Sequence, residues 1–419
     1  MTFCTKPYRR EREKKLGKGP GVFEKLSSDA KLIFDRIQKG GPQTKNNLSR
    51  ITGMKLTTLI RLMEPLEEAG LVEQCSIGES TGGRKPALYD IRAGKYYLAG
   101  VDISRTYTQV VITDLKLKPL FKQQFPMDEA AYPEKTAGRI LEIIKEAFRY
   151  LKADMERLLG VGVGTVGPMD RLRGLILNPV NFEAPGWSNV PIKAMLESGL
   201  PCPVFVDNGA NAAALAEMLY GKAKGMKSLV YINCGIGLRT GAISSGRIVR
   251  TMNDAEDAFG HMVIDVDGEP CSCGNFGCIE CYSSIHAVTG KFEAQLKKGR
   301  ISTVGKAPGG ISYLDICRGA EKKDELAKEV LTDAAVILGT GLANFINLFN
   351  PDLVILSGPL IQHSNLFYRV CTEVAAKKSY MNKGGGLLFN KGGHFEENAI
   401  PVGSAAMVLE NCLDSRIVL

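Results

Sequence analysis

The spacing of hydrophobic residues changes once along this 419-residue chain, near residue 95. Residues 28–90 carry apolar side chains at helical spacing, broken by short turns, whereas residues 97–357 alternate short apolar strands with long helices. This order predicts a small helical module followed by an α/β body of two lobes. A length of 419 residues allows two to four domains at about 150 residues per domain.

The first part of the module reads as two helices joined by a short turn. Ser28 is positioned to cap the first helix, and Gly40-Gly41-Pro42 ends it. Thr44 is positioned to cap the second helix, which is short.

A third helix and a hairpin follow, and together they predict a winged helix-turn-helix. The third helix starts near Lys55, after a tight turn at Thr52-Gly53, and Pro65 within it predicts a kink. Residues 71–74 and 87–91 read as two strands. The apolar residues of the third helix are Leu56, Leu59, Ile60, Leu62, Met63 and Leu66, and the hairpin loop contains Gly82-Gly83-Arg84-Lys85-Pro86.

Polar side chains on this module predict contacts with double-stranded DNA. The outer face of the third helix would reach base edges in the major groove, and two cations at the loop tip would reach phosphates or a narrow minor groove. The alternative is a three-helix interaction domain whose cations are merely solvated. The predicted DNA-binding residues are Lys55, Thr57, Thr58, Arg61, Arg84 and Lys85.

Charge is concentrated at the front of the chain. Residues 1–90 hold 17 Lys/Arg and 11 Asp/Glu, a net charge of +6, out of +8 for the whole sequence. A basic front on a near-neutral body favours a polyanion-binding module. Residues 1–26 are predicted to form a flexible basic arm, although a solvated tail without a partner is an equal alternative for the first 20 residues.

The eleven cysteines favour metal binding over disulfides. Four of them lie within residues 271–281, and no secretory signal or membrane-spanning apolar run accompanies them. These features predict a cytoplasmic protein without membrane contact, in which clustered thiols are more typical of a metal site.

Five motifs in the body resemble the ROK family (repressors, open reading frames and sugar kinases). The resemblance extends over essentially the whole chain from residue 28, and the cysteine motif is its most specific part. The motifs are Gly100-Val101-Asp102-Ile103, Val161-Gly162-Val163-Gly164 with Pro168, Asn181 through Trp187, Asn208-Gly209-Ala210-Asn211-Ala212-Ala213-Ala214, and Gly260-His261 through Cys271-Ser272-Cys273-Gly274-Asn275-Phe276-Gly277-Cys278-Ile279-Glu280.

The resemblance implies a two-lobed, actin-like (hexokinase-like) fold, a sugar cleft, a structural zinc and a dimer or tetramer. Family members with an N-terminal winged helix are mostly sugar-responsive transcription factors. The expected organisation is an arm at 1–26, the winged helix-turn-helix at 27–92, and an effector and oligomerisation domain at 93–419. Within that domain, lobe 1 is expected at about 97–225 with the C-terminal helix, and lobe 2 at about 226–396.

The resemblance also implies the ligands of the zinc. They are His261, Cys271, Cys273 and Cys278, with Cys281 left over. Four protein ligands make a closed structural site rather than a hydrolytic one. The alternative is a group of buried free cysteines.

Asn181, Asn208, His261 and Glu280 match sugar contacts of the family. Amide and carboxylate groups of this kind pair with sugar hydroxyls. Trp187 is expected to pack its loop more than to stack on a sugar. The alternative for Glu280 is an ordinary solvated side chain.

The sequence departs from the family's kinases at the positions that carry catalysis. Gly209 stands where the kinases have the Asp general base, and Asp207 is out of register with that position. Ser104-Arg105 replaces the two glycines of the phosphate loop, and Arg239 replaces a glycine of a second turn. We therefore expect no catalytic residues and no kinase activity.

A further departure concerns the sugar cleft itself. Ala258 stands where the family usually has a sugar-contacting Glu, three residues before the zinc His. Three functions follow in order of preference. The chain is a sugar-responsive regulator, most often a repressor of carbohydrate-utilisation genes, that binds operator DNA; or an ATP-dependent sugar kinase with an added module; or a constitutive DNA-binding protein whose body only dimerises.

Overall fold

The computed structural model describes residues 21–77, 86–250, 256–305, 310–380 and 386–414. Arg84 and Lys85, at the predicted tip of the hairpin, lie outside these residues, as does the predicted arm up to residue 20.

The front module has the predicted order of helices and strands. Its small antiparallel sheet has the strand order β1-β3-β2. In chain order the elements are α1 (Gly21–Glu24), α2 (Ser28–Gly40), β1 (Gln43–Thr44), α3 (Lys45–Thr52), α4 (Leu56–Glu68), β2 (Val72–Ile77) and β3 (Ala87–Ile91).

The helix boundaries follow the capping chemistry with one shift. The hydroxyl of Thr44 accepts a hydrogen bond from the backbone of Asn47, as predicted, but the cap of α2 is Ser27 rather than Ser28. Gly41 and Gly53 both have positive φ and end α2 and α3. Helix α4 continues beyond Pro65 to Glu68, so the proline does not end it.

The prediction of a flexible arm over residues 1–26 is wrong at its C-terminal end. Residues Gly21–Glu24 form a helical turn, and the buried Phe23 packs edge-on against Phe34 at 5.1 Å between ring centroids. The buried ring of Phe23, with Val22 and Leu26 packed beside it, docks this turn on the module.

The first lobe is built on a five-stranded sheet in the order β10-β7-β4-β5-β6. The three strands β10, β7 and β4 are parallel, and β5 and β6 complete the sheet as antiparallel strands. Its elements are β4 (Tyr97–Ile103), β5 (Tyr107–Asp114), β6 (Pro119–Pro126), α5 (Pro133–Tyr150), β7 (Leu158–Thr165), β8 (Met169–Asp170), β9 (Leu175–Ile176), α6 (Ile192–Glu197), β10 (Val204–Asn208) and α7 (Gly209–Tyr220).

The second lobe repeats this plan with the strand order β13-β12-β11-β14-β15. Two such sheets, with helices packed on them, confirm the predicted α/β fold. Its elements are β11 (Leu229–Cys234), β12 (Leu238–Ser244), β13 (Arg247–Ile248), α8 (Glu280–Ser283), α9 (Ile285–Lys297), α10 (Tyr313–Glu321), α11 (Glu325–Phe349), β14 (Leu353–Ser357), α12 (Pro359–His363), α13 (Asn365–Lys378) and β15 (Leu388–Lys391), after which α14 (Ala399–Cys412) returns to the first lobe.

Helix α14 lies unusually close to the first sheet because two strand residues have no side chain. A Cβ at Gly100 would lie 1.7 Å from the carbonyl oxygen of Pro401, and a Cβ at Gly162 would lie 1.8 Å from that of Ser404. Glycine at both positions is therefore required for this helix–sheet contact.

Helix α11 is long and apolar enough to cross a membrane by length and composition alone. However, 56% of its most apolar window is buried inside the protein. Burial among the helices of the second lobe accounts for its composition, as in the core helix of a globular domain.

Candidate functional site

Helix α4 presents a polar face away from the core of the front module. Leu59, Met63 and Leu66 are fully buried on one side. Of the residues predicted to contact bases, Lys55, Thr57 and Arg61 are exposed and Thr58 is half-buried. This is the orientation that insertion into a major groove requires.

The four predicted metal ligands lie together beside the short helical turn Glu256–His261. Their ligand atoms all lie within 4.8 Å of one another. Nδ1 of His261 is 3.6 Å from Sγ of Cys271, and Sγ of Cys273 is 3.8 Å from Sγ of Cys278. Bonds of about 2.3 Å from a tetrahedral zinc to sulfur place two sulfurs roughly 3.8 Å apart, so the cluster fits this ion.

Hydrogen bonds around Cys271 favour its thiolate form. Burial opposes the charge, but hydrogen bonds from Cys273, Cys281 and His261 outweigh it and lower the pKa of Cys271 to about 7. The thiolate is the form that ligates metals. Cys281, predicted to be left over, lies beside the cluster, and its Sγ is also within 3.6 Å of the carbonyl oxygen of Pro270.

A cavity of about 350 Å³ opens next to this cluster, between the two lobes. Two predicted sugar contacts, His261 and Glu280, lie in its wall. The lining residues are Arg105, Gly167, Pro168, Val180, Leu238, Ala258, His261, Cys273 and Glu280.

The polar groups of the cavity are held by backbone contacts. Glu280 is buried, and its Oε2 accepts a hydrogen bond from the backbone of Leu238 at 2.7 Å. It is therefore not the solvated side chain of the alternative interpretation. Arg105 donates from Nε to the carbonyl of Val180 at 3.0 Å. Ala258 leaves its part of the wall without a carboxylate.

Asn181, Asn208 and Trp187 are not among the residues that line this cavity. Asn181 is exposed and has a positive φ of 65°. Asn208 is buried and caps α7 through a bond from the backbone of Ala210. Trp187 is buried and donates to the carbonyl of Ala131 at 3.0 Å, which agrees with the expected packing role.

Arg239, which stands where the kinases of the resembled family have a glycine, is buried against Asp102. Its NH1 is 3.3 Å from a carboxylate oxygen of Asp102, and both side chains are almost fully buried. A Cβ at Gly209 would lie 2.8 Å from the same NH1 atom. Burial raises the pKa of Asp102, while Arg239 and the hydroxyl of Tyr107 act to lower it.

A second, partly buried ion pair crosses between the lobes. Arg250 binds Asp207 through two hydrogen bonds of 2.7 and 3.2 Å, and Asp207 also accepts from Asn211. Asp207 is thus engaged by a cation and by an amide.

The sequence alone did not indicate that Arg105 lines the cavity or that Arg239 is buried against Asp102. In the sequence, both stand out only as departures from glycine in two turns. The replacement itself was the available signal. An arginine in place of a glycine adds a long charged side chain next to the turn, and that side chain occupies space that the glycine leaves open.

Comparison with known proteins agrees with this architecture. The model of the ROK family matches residues 98–409. The chain belongs to the ROK family. Among ROK relatives, the xylose repressor of Bacillus subtilis is 28% identical over 386 residues, 92% of this chain and 95% of that protein. The DNA-binding transcriptional repressor Mlc of Escherichia coli is 23% identical over 358 residues, 84% of this chain and 86% of Mlc.

Solved ROK structures share the fold. A ROK transcriptional regulator homologous to Escherichia coli Mlc superposes with a TM-score of 0.76 at 23% identity, over 93% of this chain and 97% of the other. The ROK hexokinase of Thermus thermophilus superposes with a TM-score of 0.63 at 25% identity, over 76% of this chain and all of the hexokinase. The likeness to the regulator therefore extends over more of this chain than the likeness to the enzyme.

Proposed function

We propose that this ROK protein is a cytoplasmic transcriptional regulator that represses carbohydrate-utilisation genes. Its relatives include a xylose repressor and the repressor Mlc. The observation that carries the proposal is Arg239. Gly209 provides no general base, and the buried guanidinium of Arg239 lies where a side chain at position 209 would begin. Hence the body binds a ligand but does not phosphorylate it.

DNA binding is assigned to the front module. Lys55 at the start of α4 and Thr57, Thr58 and Arg61 within it read the operator, and Arg84 and Lys85, which lie outside the described residues, contact phosphates. A dimer or tetramer would place two recognition helices one or more helical turns apart on the duplex. Closure of the lobes on the ligand would change the spacing or mobility of the two modules and release the operator.

A structural zinc is assigned to His261, Cys271, Cys273 and Cys278. When bound, the ion would cross-link the turn that ends at His261 to the cysteine loop. Ligation through Nδ1 leaves Nε2 of the same ring to hydrogen-bond a ligand in the cavity. Zinc would thereby stabilise one wall of the binding site without taking part in a reaction.

A sugar or sugar derivative is assigned to the cavity. His261 and Glu280 line it, and their polar groups suit hydroxyls. Asn208 does not line the cavity, but its buried Nδ2 has no hydrogen-bond partner among the described residues, so it stays a predicted contact for a ligand that reaches deeper between the lobes. Asn181 stays a predicted contact.

The test measures operator binding, the effect of sugars on that binding, and ATP consumption in the presence of sugars. Purified full-length protein is titrated into a duplex from its own promoter region and into a random duplex, with and without each of a panel of hexoses, pentoses and N-acetylated sugars. We expect the promoter duplex to bind at least 10³-fold more tightly, within the usual range for specific binding. We also expect one sugar to raise the melting temperature and weaken operator binding.

Two outcomes support the other functions. ATP consumption with a sugar at about 1 per second or faster would establish a kinase. Specific operator binding that no sugar changes, with no thermal shift, would establish a constitutive DNA-binding protein whose body only assembles the oligomer.

A further inference from the structure

Helix α4 exposes two aliphatic side chains on an otherwise polar surface. Leu56 and Ile60 are each 40% exposed, whereas Leu59, Met63 and Leu66 are fully buried. Exposure of two large apolar residues one helical turn apart has no benefit for the isolated module, because each leaves apolar area in contact with water.

These two residues belong to the surface proposed to read DNA. At about 100° per residue, Ile60 lies roughly 60° around the helix from Thr57 and 100° from Arg61. Leu56 lies one turn before Ile60, at the N-terminal end. The aliphatic pair therefore borders the polar residues assigned to base contacts.

The distribution of charge along α4 indicates which part of the helix approaches DNA. Lys55 and Arg61 are in its first half, whereas Glu64, Glu67 and Glu68 are in its second half. Phosphates attract the first half and repel the second. Leu56 and Ile60 lie in the attracted half, so their exposed surface would enter the groove.

The major groove offers one apolar group on its base edges, the 5-methyl group of thymine. We propose that Leu56 and Ile60 contact thymine methyl groups and make the operator preference depend on thymine at defined positions. This inference rests on the proposed DNA-binding function. It names the bases that this part of the helix selects, which the polar residues alone do not determine.

The experiment removes the methyl groups from the DNA. The operator is first obtained by selection from a random duplex pool with the full-length protein. Each thymine is then replaced by deoxyuracil, which keeps base pairing and removes only the methyl group. Loss of one buried methyl contact is expected to weaken binding roughly fourfold at one or two positions and not elsewhere.

Variants of the protein identify the partner of each methyl group. I60A and L56A should weaken binding to the thymine operator, and each should abolish the effect of uracil at one position, because the two changes remove the same contact. L172A removes an exposed leucine of the body and should leave both affinity and uracil sensitivity unchanged.

Three results would overturn the inference. Uracil tolerated at every thymine of a selected operator would show that the aliphatic pair reads no methyl group. Uracil sensitivity that persists in both I60A and L56A would assign the methyl contact to other residues. Failure to select any sequence would refute the DNA-binding function itself, and the inference with it.

Discussion

A side chain at position 209 would collide with a buried cation. Besides the 2.8 Å approach to NH1 of Arg239, a Cβ there would lie 3.1 Å from Cγ2 of Ile400. Arg239 cannot easily move away, because it is 4% exposed and bound to Asp102 and Ser104. Gly209 and Arg239 are thus structurally dependent on each other.

The first prediction tests this dependence. G209A should destabilise the protein by about 1–3 kcal/mol, since overpacking forces a buried side chain to shift. G290A is the control, because a Cβ at Gly290 in α9 meets nothing within 4 Å and alanine favours a helix. Urea unfolding measures the free energy of unfolding of both variants. Equal stability of the two variants would show that the Arg239 contact does not restrict position 209.

The same contact predicts that G209D does not create a kinase. The new carboxylate would form an ion pair with Arg239 rather than stand ready to accept a proton. Assays of ATP consumption should show no turnover with any sugar. Measurable turnover by this single variant would mean that Arg239 does not block the cleft.

The third prediction compares two cysteine variants at the metal cluster. C273S should lower the zinc content well below one per chain and lower the melting temperature, because it removes one of four clustered ligands. C281S should retain zinc, since Cys281 is not one of the four clustered ligands and serine keeps a hydroxyl in its place. Metal analysis of both variants checks the assignment. Retention of one zinc by C273S would show that the ligand set is wrong.

At the scale of elements, the boundaries that depend on local chemistry were predictable from sequence. The Thr44 cap and the Thr52-Gly53 turn define α3 and the start of α4 through contacts within a few residues. Ser27 and Ser28 are neighbours with the same capping ability, and only the packing of α2 decides between them. The exposure of Leu56 and Ile60 likewise depends on how α4 is rotated against α2 and α3.

The site was predictable only where its residues lie close in sequence. The cysteine loop could be recognised from its spacing, and the structure brings the four ligands together. The rest of the cavity wall could not be recognised: the family resemblance indicated His261 and Glu280, but Arg105 and Leu238 come from distant segments that meet them only when the two lobes fold. Contacts over such separations leave no local pattern.

The fourth prediction concerns DNA binding by helix α4. R61A should weaken binding to the selected operator by about 1–3 kcal/mol if Arg61 contacts a base, and should have a much smaller effect on random DNA. E68A alters the same helix at its acidic end and should not weaken operator binding. Equal losses on operator and random DNA would reduce Arg61 to a phosphate contact.

At the scale of the whole molecule, α14 connects the cleft to the front module. Ile400 lies beside Gly209 at one end, and Glu410 lies about 15 Å further along the helix. The fully buried carboxylate of Glu410 binds Lys39 of α2 at 2.9 Å and accepts from the hydroxyl of Tyr220. A rigid helix thus joins the residues around the cleft to the base of the DNA-binding module.

The pKa of Lys39 keeps this residue charged in its contact with Glu410. Burial alone would lower its pKa, but the carboxylates of Glu410 and Asp35 outweigh burial and raise it. A raised pKa means that the ion pair stabilises the folded state below the ordinary lysine pKa near 10.5, and that this contribution is lost only as pH rises beyond it. The contact is therefore intact throughout the physiological range.

The last prediction is that K39M separates sensing from DNA release. The variant should keep its zinc and its thermal shift with the sugar, since both sites lie in the body. The sugar should weaken operator binding less than in the natural protein, because α14 no longer holds the module through Glu410. K31M is the matched control, since Lys31 lies on the same helix but pairs with Asp414, which is 77% exposed. Operator binding of K39M and K31M, measured with and without sugar, tests this prediction. K39M leaves the buried carboxylate of Glu410 without its partner, so E410Q is measured as well. If the sugar weakens operator binding of both variants as much as that of the natural protein, the coupling between sugar and DNA does not depend on the Lys39–Glu410 contact.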